Sequence, residues 1–83
     1  MTAPRVHAQV QADELVVGWG DVTTRFAVTD VVRVNTYPGM AGERDVRIEL
    51  APGVEPSPLM LSMRAPDAES LVDEITRAVF RLR

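Results

Sequence analysis

Residues 67–83 constrain the fold most, because they form the only segment long and periodic enough to be read as an α-helix. At about 100° per residue, Leu71, Ile75, Ala78 and Leu82 fall in one narrow stripe, with Val72 and Val79 on its shoulder. A stripe of that kind has to lie on an apolar surface supplied by the rest of the chain. Pro66 and Asp67 stand where helix N-termini favour proline and an anion. Arg77, Arg81 and Arg83 fall in the last turns, where cations meet the negative end of the helix dipole.

Everything before the helix reads as short strands. Val6, Ala8 and Val10 alternate with His7, Gln9 and Gln11 across residues 5–11, as in a half-buried strand. After Asp13 and Glu14, residues 15–19 place Leu15, Val17 and Trp19 on one face and Val16 on the other, which suggests an antiparallel hairpin. Gly18, Gly20 and Asp21 supply turn chemistry. A third strand over residues 22–28 sets Val22, Thr24, Phe26 and Val28 against Thr23, Arg25 and Ala27. Alternation then fails at Val31, Val32 and Val34, and a bulge or corner is expected within residues 31–37. Residues 38–42 are a loop by composition. Residues 45–50 give the cleanest strand, with Val46, Ile48 and Leu50 inward and Arg47 and Glu49 outward. After Pro52, Gly53, Pro56 and Pro58, the residues Leu59, Leu61 and Met63 form the face of a sixth strand.

A chain of 83 residues is one domain that buries roughly 60–65% of its unfolded surface, so its stability is expected to be marginal. It contains no cysteine, so an ordinary hydrophobic core has to supply that stability, which suits a reducing cytoplasm. No apolar run is long enough to span a membrane, and no signal peptide is read. A formal charge of −3 argues against nucleic acid or anionic lipid held through a general electrostatic footprint. All nine cations are Arg, which together with abundant Ala, Val, Asp and Pro is most simply the mark of a GC-rich genome.

Many short antiparallel strands followed by one helix leave few economical topologies. The fold class expected is α+β, mainly β: a curled antiparallel sheet or partly open barrel of about six to seven short strands, closed by a helix ~25 Å long. The run Arg25-Phe26-Ala27-Val28-Thr29-Asp30-Val31-Val32-Arg33-Val34 resembles the strand entry of bacterial pleckstrin-homology-like (PH-like and GRAM-like) domains, and residues 67–83 resemble their closing helix. The resemblance implies seven strands where the sequence shows six, so either a strand is hidden within residues 28–37 or the sheet is trimmed at an edge.

Catalytic chemistry finds no purchase in this chain. Ser57, Ser62 and Ser70 have no base in an arguable constellation with His7, and one imidazole is too little for a zinc site. Gly18-Trp19-Gly20 and the glycines of residues 38–42 lack phosphate-cradling spacing. No cofactor or metal site is expected. Phosphoinositide-binding PH domains carry Lys and Arg in the loop between the first two strands, whereas this chain has Gln11-Ala12-Asp13-Glu14 there, which disfavours that ligand. Arg25, Arg33, Arg44 and Arg47 are interleaved with Asp and Glu, as on a solvated mixed face.

Two functions from different classes are consistent with this reading. One is a non-catalytic protein-interaction or scaffolding module, self-associating or binding a partner through an open strand edge or a groove beside the helix. The other is a small-ligand or lipid-binding domain using the mouth of the curled sheet. The absence of catalytic groups and of a basic rim favours the first. Phe80 lies about 140° from the centre of the helix stripe, among Glu69, Asp73, Thr76 and Arg77, where it cannot face its own sheet. With Val16 and Met60 at outward strand positions, it forms the candidate interface, and a homodimer would also compensate for an absent seventh strand.

Overall fold

A computed structural model describes residues 6–82 of the chain. It contains six strands: β1 (Val6–Gln11), β2 (Glu14–Trp19), β3 (Val22–Ala27), β4 (Val31–Pro38), β5 (Glu43–Leu50) and β6 (Leu59–Arg64). One helix follows, α1 (Ala65–Leu82). Arg5, expected in the first strand, and Arg83, expected in the last helical turn, lie outside the described residues.

The fold is mainly β, but the strands do not form one curled sheet or a closed barrel. They make two three-stranded antiparallel meanders, β1-β2-β3 and β4-β5-β6. The division falls where alternation fails in the sequence. Val28–Asp30 is a single 3₁₀ turn, where residue 28 was expected to end a strand. Its Val28 N–H donates to the Asp13 carbonyl at 2.9 Å, and its Asp30 carbonyl accepts from the Ala51 N–H at 2.8 Å. The corner is thereby tied to both sheets, with the Val28 side chain fully buried. Immediately after it the ladder slips: Val31 pairs with Leu50 and Arg33 with Glu49. Val32 is the extra residue of a bulge and points to solvent, 60% exposed. No seventh strand is present among the described residues, because the stretch expected to hide one is used for the corner and the bulge.

Both hairpins of the first sheet have two-residue loops, with Gln11 paired to Glu14 and Trp19 to Val22. Each loop opens with a positive φ, +55° at Ala12 and +56° at Gly20. The alternation read from the sequence places Val10, Leu15 and Phe26 in one cross-strand row and Ala8, Val17 and Thr24 in the next. Leu15, Val17 and Phe26 are buried, and Trp19 packs against the core while remaining half-buried. Val22 departs from its expected inward place: it opens an edge strand at the end of the sheet and is 61% exposed. In the second sheet Val46, Ile48, Leu50, Leu59, Leu61 and Met63 all face inward, as expected.

The helix covers both inner faces. Leu71, Ile75 and Ala78 are buried, joined by Ala68 one turn earlier, with Val72 and Val79 packed at the margin. Leu82 does not belong to this stripe and is 40% exposed. Its turn has run past the sheet to the β1–β2 loop, where the Arg81 guanidinium donates to the Ala12 carbonyl at 3.2 Å. The helix begins at Ala65, two residues before the expected start, and the Ala65 N–H donates to the Gly42 carbonyl.

Candidate functional site

The three residues expected to share an interface lie on three different surfaces. Phe80 is 84% exposed on the solvent side of α1, near an Arg77–Asp73 ion pair of 3.1 Å. Met60 is 54% exposed on the outer face of β6, directly opposite Arg47. Val16 does occupy the outer face of β2, as expected of an outward strand position, but it is only 8% exposed. Its cross-strand neighbours are Gln9 and Arg25, whose long side chains flank it on the middle strand of the sheet. A shallow depression of about 450 Å³ remains there, lined by His7, Gln9, Val16, Gly18 and Arg25. The glycine at position 18 makes room for the imidazole: a Cβ there would stand 2.9 Å from His7 Cδ2.

The outer face of the second sheet is a mixed charged surface. Arg33 and Arg47 both reach Glu49, at 3.6 and 3.2 Å, and Ser62 donates to Asp45 at 2.7 Å. Arg25 similarly meets Glu14 at 3.5 Å on the first sheet. Such solvent-exposed pairs contribute about 0–1 kcal/mol each. Their effect is to neutralise the arginines locally, so no cationic patch is formed from them.

A concavity of about 990 Å³ lies where the two sheets meet at their free edges. β1 is the outer strand of one sheet and β6 of the other, and their Cα atoms come within 8 Å without the strands pairing. Val6–Gln9 form one wall and Ser62–Arg64 the other. One side of α1, presenting Asp67, Ser70 and Glu74 at helical spacing, closes the end together with Ala41–Glu43. The charged groups on this lining are Glu43, Asp67 and Glu74 against Arg64, with His7 on the β1 wall. None of these three carboxylates is in an ion pair among the described residues. Sequence reading missed this groove. The polar residues on the helix flank were visible, but nothing in a sequence of alternating strands says which two edges end up facing each other.

Among the described residues no helix is long and apolar enough to cross a membrane. Comparison with protein-family models, with curated proteins and with solved structures gives no match for this chain.

Proposed function

We propose that the chain is a non-catalytic protein-interaction or scaffolding module of PH-like architecture, working in the cytoplasm and binding a partner protein or a second copy of itself. The observation that carries this reading is Phe80, an aromatic side chain left 84% exposed on a helix whose inner stripe is already fully used by the core. Aromatics of this kind act as anchors in protein interfaces, where a large rigid side chain buries much area at little entropic cost. Two small antiparallel sheets covered by a C-terminal helix support the PH-like comparison. Small apolar ligands or lipids find less support, because the space between the sheets is filled by Leu15, Val17, Ile48, Leu61, Leu71 and Ile75. The β1–β2 loop carries Asp13 and Glu14, which repel a polyphosphate headgroup.

The test is Phe80→Arg, whose cation suits the C-terminal turn of the helix. The melting temperature is expected to stay within a degree or two of wild type, since an exposed ring contributes little to the fold. The mass measured by light scattering, or the recovery of partner from native cytosol, should fall. A wild-type protein that is monomeric at high concentration, paired with a variant that retains every captured partner, overturns the role given to Phe80.

A further inference from the structure

Four strand edges terminate the two sheets, and three of them are occupied or interrupted. β1 and β6 face each other, with Cα atoms within 8 Å. β4 is broken by the Val32 bulge and ends at Pro38. β3 differs from all of these. Its register with β2 is unbroken from Val22 to Ala27, and the helix packs on β1, β4, β5, β6 and the 3₁₀ corner, so β2 is the one element that runs along it. Trp19 and Val22 flank a two-residue loop and exchange both ladder hydrogen bonds. Alternation from that pair directs the N–H and C=O groups of Thr24 and Phe26 to β2, and those of Thr23 and Arg25 to the free edge. Among the described residues no hydrogen bond reaches these edge groups. The devices that guard an edge are also missing: β3 has no proline and no bulge, and its one charge, Arg25, is offset by Glu14 at 3.5 Å.

We infer that β3 pairs antiparallel with β3 of a second copy about a two-fold axis at Thr24, joining the two first sheets into one six-stranded sheet. This rests on the interaction-module reading but uses a surface separate from Phe80. The occupant is a second copy because the strand is its own complement. Thr23 and Arg25, whose main-chain groups are open, stand one residue either side of Thr24, so each faces the other across the axis as a hydrogen-bonded pair. Val22 and Phe26 stand two residues either side on the inner face, so Phe26 of the second copy covers Val22, an apolar side chain otherwise left 61% exposed. The two Thr24 residues meet on the axis, a favoured cross-strand pair. Charge fixes the same register. Centring on Arg25 would set two guanidinium groups directly opposite each other, whereas centring on Thr24 brings Asp21 of the second copy to a diagonal position within reach of Arg25. Centring on Thr23 would shorten the overlap and leave Phe26 beyond the partner strand.

Sedimentation equilibrium of the intact chain up to millimolar concentration, with amide hydrogen exchange followed over the same range, tests the inference. A monomer–dimer equilibrium is expected, and the amides of Thr23 and Arg25 should exchange more slowly as concentration rises while those of Ala8 and Val10 on the β1 edge do not change. Thr23→Pro removes an N–H that the monomer leaves unbonded, and proline is tolerated on an edge strand in that position. It should raise the dissociation constant at least tenfold, the loss expected for one hydrogen bond from each copy. Val22→Lys, at an exposed position, should melt as wild type and also weaken the dimer, and it decides the matter if the proline variant does not fold. Three results overturn the inference: a chain that stays monomeric throughout, a dimer whose concentration-dependent protection lies outside β3, or a folded Thr23→Pro or Val22→Lys that associates as wild type does. If the strand pairing fails while Phe80→Arg still lowers the mass or the recovery of a partner, the β3 interface falls and the interaction-module reading stands.

Discussion

Ala12 has a φ of +55°, in the left-handed region, at the loop position where the next hairpin uses Gly20. A Cβ in that region crowds the backbone at a cost of roughly 1–2 kcal/mol, partly offset by the smaller freedom alanine loses from the unfolded chain. Ala12→Gly is therefore expected to stabilise the protein by about 0.5–1 kcal/mol, a rise in melting temperature of several degrees for a domain of this size. A melting temperature unchanged or lowered would mean that the carbonyl accepting from Arg81 holds the turn in a way glycine loosens. At this same scale the sequence is most informative where one face of a strand is buried and the other wet. Ile48 inward and Glu49 outward follow from alternation alone. Val16 does not follow, since its cover comes from Gln9 and Arg25 on two other strands, and no local pattern records which side chains flank an outward position.

At the level of elements, the helix was the most legible because its stripe, its N-terminal Pro66-Asp67 and its C-terminal arginines all agree. The errors sit at its ends. Ala68 is buried although its small side chain contributes little to an apolar pattern, and Leu82 is exposed because the helix outlasts the sheet beneath it. Leu71 and Ile75 at ~1.5–3 kcal/mol each, with smaller contributions from Ala68, Ala78, Val72 and Val79, amount to roughly 5–10 kcal/mol of burial. Total stability at ~0.05–0.15 kcal/mol per residue is about 4–12 kcal/mol for this chain. Ending the chain after Arg64 is accordingly expected to give an unfolded or aggregating product. A truncated protein that keeps a cooperative thermal transition would show that the two sheets stabilise each other without their cover. The strands were legible as segments but not as sheets. Whether β3 and β4 continue one sheet or open a second is decided at Val28–Asp30, where three residues turn a corner through hydrogen bonds to Asp13 and Ala51 that are remote in sequence.

On the scale of the whole molecule, two sheets with no strand pairing between them share a single core. Leu15, Val17 and Phe26 from the first sheet and Val46, Ile48, Leu59 and Leu61 from the second belong to one buried cluster with the helix residues between them. Neither three-stranded meander has another surface on which to bury its inner face, and isolated small sheets are marginal in water. The two halves should therefore unfold together. Trp19 reports on the first sheet, since its ring packs against that part of the core, and the methyl group of Met63 reports on the second from its 9% exposed position on β6. In a denaturant titration the Trp19 emission and the Met63 methyl signal are expected to give the same midpoint and the same slope, as a two-state transition requires. Ala68→Gly tests the coupling directly, because it weakens the helix at a fully buried point between the sheets. Both probes should shift to lower denaturant by the same amount. Separate midpoints in the wild type, or a shift of only one probe in the variant, would mean that the sheets are independent units and that the helix belongs to one of them.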